Sequence, residues 1–98
     1  MQEVLDKISD CITSYENCEY TDLHYLHSVL TCNMYYLAEY QIKAKNDWLY
    51  AYYNSPETSN AAKEKWADRE VPELYQCRKI LEFAPKVAIA ISQEIKGN

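Results

Sequence analysis

From Leu74 to the end of the chain, apolar residues return with the period of a helix. Leu74, Cys77, Leu81, Ala84, Ala88, Ile91 and Ile95 follow one another at spacings of 3, 4, 3, 4, 3 and 4. An unbroken seam of this kind predicts a helix that needs a partner along its whole length. Earlier, Leu23, Leu26, Leu30, Leu37, Ala44 and Ala51 keep the same period, with Asn33, Tyr40 and Asp47 at the intervening seam positions. The polar run Asn54-Ser55-Pro56-Glu57-Thr58-Ser59-Asn60 separates the two stretches. Two long helices joined by that turn would zip together antiparallel.

The remaining patterning adds a shorter element. Val4, Leu5, Ile8, Cys11, Ile12 and Tyr15 form one stripe of an amphipathic helix over residues 1–16, with Glu3, Lys7 and Asp10 facing away. Thr21 or Asp22 then caps the second helix, 22–53, because either side-chain oxygen can accept from the first free backbone amides. Ser55-Pro56-Glu57 reads as the start of a third helix, 56–96, with Gly97 as its stop. Pro72 and Pro85 each remove a backbone donor, so this third helix is expected to be a long rod kinked at both prolines. The sum is a single all-α domain over residues 1–98: a short N-terminal helix plus a long antiparallel helical hairpin, in a three-helix arrangement.

The second helix carries more apolar surface than one partner can use. A second stripe runs through Tyr25, Val29, Cys32 and Tyr36, and a third through Tyr35, Ile42 and Leu49. A helix apolar on several sides is surrounded on several sides. The first helix is too short to reach the distal half near Trp48, Tyr50, Tyr52 and Tyr53. Another copy of the chain is the economical cover, so a homo-oligomer is expected.

Composition narrows the function classes. The chain has 98 residues, one domain's worth, and a single glycine at Gly97. That leaves no glycine-rich phosphate loop, oxyanion loop or set of tight hairpin turns. Four cysteines, Cys11, Cys18, Cys32 and Cys77, form no C-x-x-C pair and read as reduced, small core residues rather than a disulfide framework or zinc site. The longest purely apolar run, Val87-Ala88-Ile89-Ala90-Ile91, is far too short for a membrane span. No signal peptide is evident, and a cytoplasmic protein with no membrane partner is expected. Charge is unevenly placed. Residues 1–22 hold Glu3, Asp6, Asp10, Glu16, Glu19 and Asp22 against Lys7 alone, which accounts for the whole net charge of −5. Such a segment disfavours phosphate-backbone binding and suits a basic protein partner or a solvated face.

Candidate chemistry is sparse. His24 and His27, three apart on one helical face, have a spacing that can ligate a metal, yet no third ligand is fixed, and the pair reads as surface imidazoles. No metal and no cofactor are expected. Serine, histidine and acids occur without an elbow or fixed spacing to assemble them, and Glu64 and Asp68 sit among bases as a solvent face does. The chain is therefore expected not to be an enzyme. Tyrosine is the anomaly, with ten in 98 residues besides two tryptophans. Trp48, Tyr50, Tyr52 and Tyr53 cluster at the hairpin tip with Trp66 on the facing helix, residue types that dominate binding energies when buried against a partner. A second reading has Lys43, Lys45, Lys63 and Lys65 hold single-stranded nucleic acid while the aromatics stack its bases. A third has Arg69, Arg78 and Lys79 as anion ligands for a small nucleotide held between protomers.

Tyr36-Leu37-Ala38, Lys45-x-x-Trp48-x-x-Ala51-Tyr52, Ser59-x-Ala61-Ala62-Lys63 and the closing Ile91-Ser92-x-Glu94-Ile95 are similar to those of small helical-hairpin proteins of bacteriophages and prophages, often encoded near recombination genes. The resemblance covers roughly residues 21–96. This chain departs from it in its richness in tyrosine and cysteine and in Pro72 and Pro85. The family has no settled activity, so the resemblance implies context: an accessory protein acting by protein–protein binding on a host or phage protein, possible targets being host defence or nucleic-acid-processing proteins. A recombination or replication accessory that touches single strands is the alternative.

Overall fold

The structure, a computed structural model, describes residues 1–97. Four helices follow in chain order, α1 (Gln2–Glu16), α2 (Leu23–Tyr53), α3 (Asn60–Glu70) and α4 (Pro72–Gly97), with no strand among the described residues. The all-α class and the long helix pair agree with the periodicity. Tyr20, just before α2, reaches Glu94 near the end of α4, and Leu74 packs beside Ala44 in the later half of α2, so the pair is antiparallel.

Local chemistry sets each boundary. α1 ends where the Glu19 amide donates to the Ser14 carbonyl at 2.8 Å and the Cys18 amide to that of Tyr15 at 3.2 Å. These are the two bonds of a Schellman turn, and Cys18 takes its left-handed position at φ 55°. Of the two candidate caps for α2, Asp22 serves: Oδ1 accepts from the amides of His24 at 2.9 Å and Tyr25 at 3.3 Å.

The hairpin turn departs from the sequence reading. Ser55 Oγ does accept from the Glu57 amide at 3.1 Å, a cap-like contact, but no helix follows it and Ser55-Pro56-Glu57 stays in the turn. The cap is Ser59, whose Oγ accepts from the Ala62 amide at 3.2 Å, so the helix begins at Asn60 rather than at residue 56.

The expected third helix is two helices. Val71 sits at φ −132°, ψ 69°, because the ring of a following proline disfavours the helical conformation. Pro72 then opens α4 at the position where a missing amide proton costs nothing. Pro85, by contrast, lies inside α4, which runs on to Gly97 without a break. A rod kinked at both prolines is thus replaced by a break at the first and a continuous helix at the second.

The main core joins three helices. Leu26, Leu30 and Leu37 of α2 meet Cys77, Ala84, Ala88 and Ile91 of α4, while Leu5, Ile8, Cys11 and Ile12 of α1 close the third side. Large side chains on α2 face small ones on α4, which lets the two helices approach. Ile8, Leu30, Leu37 and Ile91 are fully buried, each contributing about 1.5–3 kcal/mol of transfer free energy. Cys11 and Cys77 are core residues as composition suggests, but Cys18 and Cys32 are exposed and all four are free. Exposure follows from place: Cys18 lies in the turn after α1, and Cys32 on a side of α2 that α1 and α4 leave open.

A smaller cluster, Ala44, Val71 and Leu74 with Trp48 and Ala51, continues towards the hairpin tip. α3 and the start of α4 therefore cover one side of the distal half of α2 within the chain, a task the sequence reading gave to a second copy. The opposite side of α2 stays bare. The molecule measures 57 × 20 × 19 Å, and its radius of gyration is 16.8 Å. A compact domain of this length would have about 13 Å. The chain is a rod, three helices thick at one half and two at the tip.

Candidate functional site: the hairpin tip and the outer face of the long helix

At the tip, helical spacing puts Lys45, Trp48 and Tyr52 one above another on α2. The Trp48 and Tyr52 rings stack at 5.4 Å and 19°. Lys45 Nζ lies over the Trp48 ring, 5.0 Å from its centroid, and Lys63 Nζ of α3 lies over Tyr52 at 5.8 Å. The result is a column of two rings with a lysine over each, an arrangement favoured by the negative faces of the rings. Two hydrogen bonds tie the column to α3: the Trp48 indole N–H donates to Asp68 Oδ1 at 2.8 Å and the Tyr52 hydroxyl to Asn60 Oδ1 at 3.2 Å.

The five predicted tip residues thus divide. Trp48 and Tyr52 are half-buried and build the tip. Trp66, also half-buried, stands apart from the stack with the Arg69 guanidinium 5.9 Å from its ring. Tyr53 meets the edge of Tyr52 at 5.2 Å yet remains 75% exposed, and Tyr50 is 73% exposed. Only these last two present free aromatic surface.

That surface continues along α2. His24, Ser28, Thr31, Tyr35, Ala38, Ile42, Asn46, Leu49 and Tyr53 follow at helical spacing on the side turned away from Leu26, Leu30, Leu37 and Ala44. The row contains no Asp, Glu, Lys or Arg over the whole helix, ~44 Å at ~1.5 Å per residue. Tyr35 and Ile42 are 69% and 66% exposed in its middle. Solvent faces of helices normally carry charge, so an uncharged row studded with aromatics is what stands out. The third stripe, Tyr35, Ile42 and Leu49, was legible in the sequence. That it lies bare was not.

The basic candidates do not converge. Lys45 and Lys63 lie over rings of the column. Lys43 lines a groove shared with Asp47, Glu70 and Glu73. Lys65 is exposed on α3 beside Glu64. Arg69 lies over Trp66, and Arg78 lines a groove with Asp68 and Tyr75. Lys79 lies 5.4 Å over the Tyr75 ring and borders a different groove, with Asp6 and Ser9. His24 is exposed and His27 half-buried, and no three His, Cys, Asp or Glu side chains among the described residues are placed to hold a metal. Among the described residues no helix is long and apolar enough to cross a membrane.

One cluster at the other end escaped the sequence reading. Tyr15 donates its hydroxyl to Glu94 Oε2 at 2.9 Å and Tyr20 to Oε1 at 3.4 Å, with the two rings stacked at 6.0 Å. The bond to Glu94 raises the Tyr15 hydroxyl above its ordinary pKa; at Tyr20 partial burial comes first and the Glu94 charge second. The partners are more than seventy residues apart in the chain, beyond any local pattern. They fasten α1 and the turn after it onto α4.

No family model, curated protein or solved structure matches this chain.

Proposed function

We propose that this protein is a non-enzymatic, phage-like accessory protein that acts by binding another protein through the outer row of α2 and the exposed tip tyrosines. One observation carries the reading: a helix that presents Tyr35, Ile42 and Tyr53 to solvent along a row without a single charge. Tyrosine joins a large rigid contact area to a polar tip, and interface cores are depleted in charge. A host defence protein or a nucleic-acid-processing enzyme in the cytoplasm of an infected or lysogenic cell is the kind of target this reading assigns. Blocking or displacing that target needs no chemistry from the chain itself.

The test compares the wild type with Tyr35→Ser/Ile42→Ser/Tyr53→Ser as baits in lysate of a bacterial host. A stoichiometric partner held by the wild type and lost by the triple variant supports the reading. A partner held equally by both moves the contact elsewhere. Retention of labelled single-stranded oligonucleotide at low salt, lost in Lys43→Ala/Lys65→Ala, would favour the nucleic-acid alternative instead.

A further inference from the structure

The charges that border the outer row of α2 are placed symmetrically. The helix holds Glu39, Lys43, Lys45 and Asp47. Lys45 lies over Trp48, and Asp47 lines a groove with Glu70 and Glu73, away from the row. Glu39 and Lys43, one turn apart and both exposed, stand between the row and Glu3 and Lys7 of α1. Glu3 and Lys7 already pair with each other at 3.5 Å, the one salt bridge among the described residues, so Glu39 and Lys43 form none. Exposed Cys32 and Tyr50 lie on the same border, each nine residues from Gln41. About Gln41 this border is its own mirror: Cys32 answers Tyr50, and an acid answers a base.

We propose that the row is covered by the α2 of a second copy, antiparallel, with the twofold axis crossing at the level of Gln41. This rests on the reading of the row as a docking face and names its resting occupant. In an antiparallel twofold pair, each border meets the same border of the other copy. Glu39 then stands level with Lys43 of the second copy, and Cys32 with its Tyr50, each twice over. Within the row large meets small: Tyr53 comes beside Ser28, Ile42 beside Ala38, and Tyr35 beside Asn46 of the other copy. The register is specific, because an axis at residue 39 or 43 sets Glu39 on Glu39 or Lys43 on Lys43. A parallel pair fares worse. It lays Tyr35 on Tyr35 and Tyr53 on Tyr53, and it opposes Lys43 to Lys45 of the other copy, two residues out of level. It also brings the acidic ends, with Glu16, Glu19 and Asp22, side by side, whereas the antiparallel pair sends them to opposite poles. A border that complements itself fits a second copy, and a foreign partner would have no use for the symmetry.

Size sets the strength. The stretch from 29 to 53 is shared by both copies over ~36 Å, and helices ~11 Å across meet along a strip of ~400 Å² per copy, against ~800 Å² for a standard interface. The dimer is therefore reversible, with Kd on the order of 100 µM, and the chain is monomeric at low micromolar concentration. A partner that binds the row competes with the second copy for it.

Sedimentation equilibrium of the whole chain, over a concentration series that brackets this Kd, tests the pairing. The wild type is expected to show a reversible monomer–dimer equilibrium. Glu39→Lys alone and Lys43→Glu alone, both folded by circular dichroism, are expected to associate at least ~10-fold more weakly. An equimolar mixture of the two restores both ion pairs and regains the wild-type Kd, as does the double exchange Glu39→Lys/Lys43→Glu. A wild type that stays monomeric throughout, a single variant that dimerises as well as wild type, or a mixture no tighter than its components overturns the proposal. Should a variant fail to fold, zero-length carbodiimide crosslinking of mixed heavy- and light-isotope wild type decides. A Glu39–Lys43 link between copies supports the pairing, and links only within one copy refute it. The two readings fail separately. A monomeric wild type whose host partner is still lost in Tyr35→Ser/Ile42→Ser/Tyr53→Ser removes the second copy and leaves the docking face. A dimer abolished by that triple variant while every host partner is retained does the reverse.

Discussion

Trp48 and Asp68, twenty residues apart in the chain, are joined by a 2.8 Å hydrogen bond from the indole N–H to Oδ1. It connects α2 to α3 where the rod is only two helices thick. Asp68→Ala is expected to loosen the tip alone, since a bond to a charged acceptor at a half-open site contributes about 1 kcal/mol. Tip amides should exchange several-fold faster by native-state hydrogen exchange while those around Leu30 keep their rates. Unchanged tip rates would mean that the ring column, not this bond, holds α3.

Leu37 and Tyr35 lie two residues apart on opposite sides of α2. Leu37→Ala empties a fully buried position and should lower unfolding free energy by about 2–5 kcal/mol in urea titration. Tyr35→Ala, at 69% exposure, should stay within about 0.5 kcal/mol of wild type. An equal loss for both would mean Tyr35 is covered in solution.

Cys18 occupies the left-handed position of the α1 Schellman turn without being glycine. Cys18→Gly relieves that strain and should raise the thermal midpoint, by about 0.5–1 kcal/mol of stability, whereas Cys18→Val should lower it. A lower midpoint for the glycine variant would show that the cysteine side chain contributes contacts worth more than the strain.

The Tyr15 and Tyr20 hydroxyls are both shifted upward, so the folded state holds their protons more tightly than the unfolded chain. This contribution is complete below the unfolded tyrosine pKa of about 10 and is lost as pH rises above it through the folded values. Urea midpoints should therefore fall between pH 9 and 11, more steeply in wild type than in Glu94→Gln, while ultraviolet titration follows tyrosinate directly. Parallel curves for the two proteins would exclude Glu94 as the anchor.

Burial first, and the neighbouring Asp10 or Glu73 charge second, pushes the Cys11 and Cys77 thiols up, with the N-terminal ammonium opposing this at Cys77. Both hold less thiolate and are shielded, so a thiol reagent at pH 8 should modify Cys18 and Cys32 promptly and the buried pair at least ~100-fold more slowly. Four equal rates would indicate an open bundle.

Much of this architecture was written in the chain as period. The seam from Leu74 to Ile95 and the row from Leu23 to Ala51 needed only 3–4 spacing to announce a helix pair. What escaped was set by single residues acting on the backbone. Ser55 and Ser59 both look like caps, and only the turn's own geometry chose the second. Pro72 reads as a kink, and the extended Val71 that a following proline favours, buried beside Ala44 and Leu74, makes it a break instead. At the tip, the aromatic residues were evident by type, but which were structural depended on Asp68, Asn60 and Lys63 reaching across from α3. The Tyr15–Tyr20–Glu94 group had no local signature at all.

The 57 Å length has an electrical consequence. At physiological salt the field of a surface charge decays over about 8 Å. The acids at the far end, Glu16, Glu19 and Asp22, are thus invisible to the lysines and tyrosines of the tip. A charged molecule arriving at one end leaves the potential at the other unaltered. Any signal between the two must travel as displacement through α2, the one helix that spans both.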